Sequence, residues 1–265
     1  MKIVIRNTSS PGASFTDNTN EVLLKTYEWI LAHQNLEISF RDFRSRLEQE
    51  MNINDNNNRN IYPLLKNAGM AEYEKGGTIN VSSFFTNTGV GYVETLKLIK
   101  MINSGNYNDE QKSFAIKKSE EILQEIVYKG LLNIIGVNDT NYVQPLKDLI
   151  CFLINYEKIS KEEYAYFLYE RSNNDSTSAT LSNIKNNIEK YRKSEIIFEV
   201  EVEVRNDTEI REETNADNRK EGLSYLTSFT YFTGLLQQAG MTYKDGKYFV
   251  LSPNKKAYAK KLIGE

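Results

Sequence analysis

The spacing of apolar residues along the chain predicts a mainly helical protein. Apolar positions three and four residues apart predict helices over residues 21–33, 58–67, 109–135, 146–156 and 181–193. Ser39 is placed to cap a helix that carries Phe40 and Phe43, and Ser160 with Glu163 has the spacing of a capping box. Further helices are expected from Thr86 onward and over residues 218–238 and 253–263. Strict alternation over residues 196–204 predicts a strand with one acidic face, and residues 2–5 predict a shorter one.

One phrase occurs twice in the chain. Residues 64–70 read Leu-Leu-Lys-Asn-Ala-Gly-Met, and residues 235–241 read Leu-Leu-Gln-Gln-Ala-Gly-Met. In both copies a helix with an apolar pair is expected to end on a glycine, since glycine adopts the left-handed conformation that closes a helix. A hairpin is expected to follow each copy, over residues 71–85 and 241–251.

This order predicts a mainly α fold with short β-hairpins, of the α+β class, built from tandem winged-helix or helix-turn-helix subdomains. Residues 1–105 would form an N-terminal arm and a first winged-helix subdomain, with Pro63 near the start of its third helix. Residues 106–195 would form a helical or helix-turn-helix subdomain. Residues 196–265 would supply the acidic strand, a long helix, the second hairpin and a basic helix. A helical bundle with a surface hairpin is the alternative.

Composition excludes several classes of enzyme. The chain has one cysteine and one histidine, so a Cys/His zinc site, a disulfide, a Ser-His-Asp triad and a Cys-His pair cannot form within it. The first residues lack the long apolar stretch of a signal peptide, and no apolar run is long enough to cross a bilayer. We therefore expect a cytoplasmic protein without a membrane partner.

The charge distribution matters more than the net charge of -3, which by itself counts against nucleic-acid binding. Lysines crowd the last stretch of the chain, whereas acidic residues collect over residues 199–213. A local basic surface is sufficient for phosphate binding. The predicted fold and this basic stretch together indicate double-stranded DNA as the partner.

Candidate base-reading residues lie where the third helix of each helix-turn-helix unit would enter the major groove. In the first unit these are Asn57, Asn58, Arg59 and Asn60, because asparagine pairs with adenine and arginine with guanine. In the second unit they are Ser176, Thr177 and Ser178. The alternative is that these polar stretches are only turns.

Candidate phosphate-binding residues lie on the two predicted wings and on two helices. They are Lys75, Thr78, Lys185, Lys244, Lys247, Lys255 and Lys256, with Lys260 and Lys261 on the same face as the last two. Solvated lysines that complement a helix C-terminus are the alternative interpretation.

The sequence predicts no catalytic residue and no cofactor. Glu199, Glu201 and Glu203 alternate on the acidic strand, but no lysine follows in the register that a restriction-type nuclease core requires. The glycine pairs also lack the spacing of a phosphate-binding loop. These glutamates are interpreted as a solvated or partner-facing surface.

The chain resembles the DNA-recognition half of FokI/AlwI-type restriction endonucleases, the type IIS group. The residues that carry the resemblance are those of 60–83, 86–89, 145–154, 159–164 and 217–263, which follow one another in the order typical of that group. The resemblance lies in the order and character of these elements from about residue 20 onward.

The resemblance implies a sequence-specific DNA-binding module of a restriction-modification system that reads an asymmetric site. Cleavage in that group belongs to a separate Mg2+-dependent nuclease domain, and this sequence ends at Glu265, about where such a domain would begin. We therefore expect Mg2+ to be needed only by a nuclease domain or subunit elsewhere. The alternatives are a standalone winged-helix transcriptional or replication regulator and a protein-interaction scaffold.

Overall fold

The computed structural model describes residues 1–6, 8–53, 55–136, 141–173, 178–203, 223–224 and 226–265. The helices are α1 (Asp17–Ala32), α2 (Phe40–Met51), α3 (Asp55–Asn67), α4 (Asn87–Ser104), α5 (Asp109–Gly136), α6 (Val143–Tyr156), α7 (Lys161–Asn173), α8 (Ser178–Arg192), α9 (Thr227–Gln238) and α10 (Lys256–Ile263). The strands are β1 (Lys2–Arg6), β2 (Glu37–Ser39), β3 (Thr78–Asn80), β4 (Lys158–Ile159), β5 (Glu199–Glu203), β6 (Thr242–Asp245) and β7 (Tyr248–Leu251). The prediction of a mainly helical α+β chain with small sheets is confirmed.

The chain divides into two units, each assembled from separate segments. The N-terminal unit comprises residues 11–143 and 234–241, and the C-terminal unit comprises residues 1–10, 144–233 and 242–265. The sequence analysis instead divided the chain into consecutive segments at residues 105 and 195. In the described part of the chain, no helix has the length and apolar content that a membrane span requires.

An aromatic cluster forms the core of the N-terminal unit between α2, α3 and the segment before α4. Phe43 and Phe84 are fully buried with ring centroids 4.9 Å apart, and Tyr62 meets Phe84 edge-on at 5.3 Å. The Tyr62 hydroxyl lies 3.2 Å from the Thr26 hydroxyl of α1, so the buried polar atom is satisfied. This cluster fixes α3 against α1 and α2.

Side-chain caps define where the helices of this unit begin. The Thr16 hydroxyl accepts a hydrogen bond from the Thr19 amide, so α1 starts at Asp17, earlier than predicted. Ser39 caps α2 by accepting from the Asp42 amide at 3.0 Å, as predicted. Thr86 caps α4 in the same way, as expected.

The segment between α3 and α4 pairs differently from the predicted hairpin over residues 71–85. Its ends are joined by a single antiparallel bridge between Ala71 and Phe85. The strand inside it, β3, pairs antiparallel with β2, with Ile38 opposite Ile79. Ile79 is buried, so the pairing of β3 with β2 places an apolar side chain in the core.

The position of Pro63 also differs from the prediction. Because α3 begins at Asp55, Pro63 lies inside the helix and not in its first turn. Proline removes one backbone donor and crowds the carbonyl four residues earlier, that of Arg59. Burial of Leu64 and Leu65, the next two residues, holds the helix together beyond it.

Two small sheets organise the C-terminal unit. β1 and β5 pair in parallel, with Ile3 opposite Val200 and both side chains buried, so the predicted alternating strand has a partner along one edge. The second sheet has the order β4-β7-β6, in which β7 pairs antiparallel with both neighbours. The hairpin over residues 241–251 is therefore confirmed, and the strand after α6 completes its sheet.

The third helix of the predicted second helix-turn-helix trio, α8, leads to the strand β5, in the order that the sequence predicts, and β5 pairs with β1. The hairpin β6–β7 follows α9, also as predicted. In chain order, the elements associated with this hairpin are thus α6, β4, α7 and α9. The helix α8 and the strand β5 are inserted between α7 and α9.

Both copies of the repeated phrase close their helices with the same hydrogen bonds. Gly69 and Gly240 have φ of +69° and +65°. The amides of Gly69 and Met70 donate to the carbonyls of Lys66 and Leu65 at 3.0 and 2.8 Å, and in the second copy the corresponding distances are 2.9 and 2.8 Å. This is the Schellman arrangement, which satisfies carbonyls that a helix end leaves unpaired.

The long helix α5 meets both of these helix ends within the N-terminal unit. Asn133 donates to the Ala68 carbonyl at 3.1 Å, and a Cβ on Gly69 would collide with the Asn133 amide. A Cβ on Gly240 would likewise collide with the Gln124 amide. Each glycine is therefore required both by its left-handed backbone and by the close approach of α5.

We expect Gly69→Ala to lower the free energy of unfolding by about 2 kcal/mol, because an L-residue in the left-handed conformation costs roughly 1–2 kcal/mol and the Asn133 contact adds to it. Gly91→Ala is the control, since Gly91 lies within α4 and its added Cβ would meet only the Ile126 methyl at 4.0 Å. The control should be neutral or stabilising by about 0.5 kcal/mol. Urea titration measures both, and equal stability of the two variants would contradict this account.

Candidate nucleic-acid interface

The N-terminal unit presents a polar surface at the start of α3 and at the turn before β3. We name it the N-terminal surface and define it by Arg59, Asn60, Lys75 and Thr78. All four residues are exposed, whereas Ile61, Leu64 and Leu65 on the inner face of α3 are buried. Asn57 and Asn58 lie on the same helix, but their side chains fall outside the described residues. The predicted groups of this unit therefore face outward where they are described.

Glycines shape the turn that carries Lys75. The Gly77 amide donates to the Glu74 carbonyl at 3.1 Å, and Gly76 has a φ of +83° with open space around it. Lys66 at the end of α3 donates to the Tyr73 carbonyl at 2.9 Å and so ties the turn to the helix. Lys75 is thereby held at the tip of a short, anchored loop.

Two exposed arginines on α2 were missed by the sequence analysis. Arg41 and Arg46 lie on the helix that precedes α3, and both are exposed. In helix-turn-helix proteins the helix before the recognition helix crosses the phosphate backbone. Their position on that helix was the available signal.

The hairpin β6–β7 of the C-terminal unit carries a cluster of cations around one aromatic ring. Three cationic groups lie within 6 Å of the Tyr248 ring centroid: Lys158 Nζ at 4.5 Å, Lys247 Nζ at 5.5 Å and Arg192 Cζ at 5.9 Å. We name this set the Tyr248 cluster. Cations over an aromatic face are attracted by its negative π-cloud. Arg192 is also paired with a carboxylate, so Lys158 and Lys247 are the members of the cluster that could bind an anion.

Lys158 was not among the predicted residues. It occupies the short strand β4 and faces the hairpin because Lys158 pairs with Val250 of β7. This position could not be predicted, because a two-residue strand between two helices has no periodicity to detect. Pairing with β7, a partner distant in sequence, is what brings the lysine to the hairpin.

A buried carboxylate holds the Tyr248 cluster in place. Glu163 is fully buried and accepts from Arg192 Nε at 2.7 Å and from Nη2 at 3.2 Å. The same carboxylate accepts from the Ser160 amide at 3.0 Å, while the Ser160 hydroxyl accepts from the Glu163 amide at 3.2 Å, so the predicted capping box is present. Arg192 also donates to the Lys158 carbonyl at 2.7 Å. One ion pair therefore links α7, α8 and β4.

Lys247 is exposed on the hairpin, as predicted for a wing lysine, and it also contacts Tyr191 of α8. Its ammonium donates to the Tyr191 hydroxyl at 2.9 Å and lies 4.7 Å from the centroid of that ring. Burial acts to lower the pKa of Lys247, but the hydrogen bond to Tyr191 and the charge of Glu162 raise it overall. Lys247 is thus positively charged at neutral pH and fixed in position.

The remaining lysines at the end of the C-terminal unit face solvent. Lys244 on β6 is exposed, as are Lys256, Lys260 and Lys261 on α10. Lys255 is half-buried, with its Nζ 4.6 Å from the Tyr258 ring centroid. Together with the Tyr248 cluster these residues form what we name the C-terminal surface.

The predicted second base-reading set is described only in part. Ser176 and Thr177 fall outside the described residues, and Ser178 begins α8 with its side chain also outside them. Lys185 is exposed on α8. The far end of this helix supports the hairpin, because it carries Tyr191 and Arg192.

The acidic strand β5 forms an ion pair with its partner strand β1. Glu201 forms an ion pair with Lys2 of β1 at 2.6 Å, and Glu199 is exposed. Within the described ranges, no group of three or more His, Cys, Asp or Glu side chains is placed to hold a metal ion. Among the glutamates of β5, Glu201 therefore has a structural role as the partner of Lys2.

No family model, curated protein or solved structure matches the chain. The function is consequently inferred from the contacts and exposures given above.

We expect Arg192→Met to lower the free energy of unfolding by about 3 kcal/mol, because it leaves the buried Glu163 carboxylate without its cation. Adding Glu163→Gln should recover part of the loss, since glutamine keeps the capping box without a charge. Lys185→Met, an exposed change on the same helix, serves as the control with little effect. Guanidinium titration of the three variants measures this, and a double variant as unstable as Arg192→Met would contradict the assignment.

Proposed function

We propose that this chain is a sequence-specific double-stranded DNA-binding protein built from two winged-helix modules. The first module comprises α1, β2, α2, α3 and β3, and the second comprises α6, β4, α7, α9, β6 and β7. A winged helix is a helix-turn-helix unit followed by a short hairpin, with the strand after its first helix joining the hairpin's sheet. In the first module a single strand, β3, follows α3 and pairs with β2, and in the second the hairpin β6–β7 follows α9 and pairs with β4.

One observation carries the proposal: the same non-local strand pairing occurs in both modules. The strand after the first helix pairs antiparallel with the last strand, as β2 with β3 and as β4 with β7. In each module the helix before that strand or hairpin carries the repeated phrase and its closing glycine. A helical bundle with a surface hairpin would not need either pairing.

In the first module, base reading is proposed for Arg59 and Asn60, with Asn57 and Asn58 on the same turn. The start of a recognition helix enters the major groove, and Arg59 and Asn60 point away from the buried face of α3. A bidentate contact from arginine to guanine or from asparagine to adenine discriminates by about 1–3 kcal/mol. Lys75 and Thr78 would hold the adjacent phosphates.

In the second module, phosphate binding is proposed for the C-terminal surface. Lys244, Lys256, Lys260 and Lys261 are exposed, and the Tyr248 cluster adds Lys158 and Lys247. Local positive potential of this kind allows a protein of net charge -3 to bind a polyanion.

The resemblance to type IIS restriction endonucleases suggests a more specific role, that of a recognition module acting with a nuclease domain or subunit. Such a module would bind an asymmetric site as a single chain. A standalone transcriptional or replication regulator would bind a palindrome as a two-fold dimer. The symmetry of the bound sequence therefore separates the two roles.

Selection from random duplexes with the purified chain tests the proposal. We expect one asymmetric motif to be enriched, and Arg59→Ala to relax the preference at one position by about 1–3 kcal/mol. Lys75→Ala should weaken binding to all sequences alike, because a phosphate contact carries no sequence information.

Three outcomes would count against parts of this proposal. A palindromic motif would favour the regulator over the restriction module. Uniform weakening by Arg59→Ala would make Arg59 a phosphate contact. Failure to enrich any motif, with the fold intact by circular dichroism, would contradict sequence-specific binding and favour the protein-interaction scaffold.

A further inference from the structure

The internal repeat aligns α9 with α3 residue by residue. The second copy of the phrase begins at Leu235 as the first begins at Leu64. The same offset places Thr230 opposite Arg59 and Tyr231 opposite Asn60. The two helices thus have matching ends, and positions near their starts can be compared directly.

The match between the two helices extends to three-dimensional detail. In both copies three successive amides close the helix with the same acceptors, beginning with Ala68 to Leu64 at 2.9 Å and Ala239 to Leu235 at 3.0 Å. After its left-handed glycine, α9 leads directly to the strand β6. After its own left-handed glycine, α3 leads to the loop before β3. α9 therefore ends in the same way as α3, at the same point of the repeated phrase.

The burial pattern of α9 shows which of its side chains can reach a ligand. Ser228, Phe229, Phe232 and Thr233 are buried, and the Thr233 hydroxyl is used within the helix, donating to the Phe229 carbonyl at 2.7 Å. Thr230 is exposed and Tyr231 is half-buried. The outward groups at this level of the helix are hence a threonine hydroxyl and methyl and a tyrosine side chain.

We propose that Thr230 and Tyr231 of α9 read bases in the second module, in place of the predicted residues Ser176, Thr177 and Ser178. The inference rests on the proposed DNA-binding function and names the specificity-determining residues of its second module. Threonine hydroxyls bond base edges and threonine methyls contact the thymine methyl group, and a phenol can donate or accept a hydrogen bond.

The contacts of α8 support the reassignment. Its last turn contacts the hairpin through Tyr191 and Lys247, and it is joined to α7 through the Arg192 pair with Glu163. Its Asn187 amide donates to the Tyr166 hydroxyl at 2.7 Å, and Ile184 and Ile188 are fully buried. α8 is thus a supporting helix that leads to β5, and the hairpin does not follow it.

The decisive experiment is selection from random duplexes with four forms of the full chain: wild type, Arg59→Ala, the double variant Thr230→Val with Tyr231→Phe, and Lys185→Ala. The double variant removes two hydroxyls and keeps both side-chain shapes, so the fold should be retained, as thermal unfolding will show. We expect it to relax the motif by about tenfold at one or two positions, different from the position that Arg59→Ala relaxes. Lys185→Ala, on α8, should leave every base preference unchanged.

The outcomes separate this inference from the proposed function. A wild-type motif that Arg59→Ala relaxes and the double variant leaves intact would overturn the assignment of α9 alone. Altered base preference in Lys185→Ala with an unaltered double variant would return base reading to α8. No motif with the wild-type chain would overturn the proposed function, and this inference with it.

Discussion

The left-handed glycine at the end of α3 and α9 is the constraint on which the rest of the structure depends. Gly69 and Gly240 reverse the chain at the helix C-terminus, where any side chain would carry both backbone strain and a collision with α5. After Gly240 the chain enters β6 directly, and after Gly69 it enters the loop that leads to β3. The closing glycine therefore directs the chain from helix to sheet in both copies.

The closing glycines set the direction of the chain, and polar side-chain contacts then hold the neighbouring helices in position. In the N-terminal unit the Thr86 hydroxyl donates to the Gly69 carbonyl at 2.8 Å and also caps α4, so the helix end and the next helix start share one side chain. In the C-terminal unit Glu163 has the corresponding role, joining a capping box to the Arg192 pair. Rigid placement of this kind is what a base-reading surface requires, because specificity depends on fixed geometry.

Local signals in the sequence predicted the parts of the fold that local physics determines. Capping at Ser39 and Ser160, the helix start near Thr86, the closing glycines and the hairpin after Met241 each depend on a few neighbouring residues. The pairings of β2 with β3 and of β4 with β7 were not predicted, because strands of two or three residues carry no periodicity and their partners are distant in sequence. Lys158 was missed for that reason. The sequence analysis placed base reading at the start of α8 by counting helices in chain order. Counting helices cannot detect that α8 and β5 are inserted between α7 and α9. The repeated phrase on α9 was the signal that pointed to α9 as the counterpart of α3.

Counterion release gives the most direct test of the central claim that these modules bind a phosphate backbone. The measurement is the equilibrium constant for a selected duplex as a function of salt concentration. Each phosphate contact contributes about -0.9 to the slope of log K against log salt. With exposed Lys75, Lys244, Lys256, Lys260 and Lys261 as contacts, the account predicts a slope of about -4 or steeper. A slope near zero would contradict it.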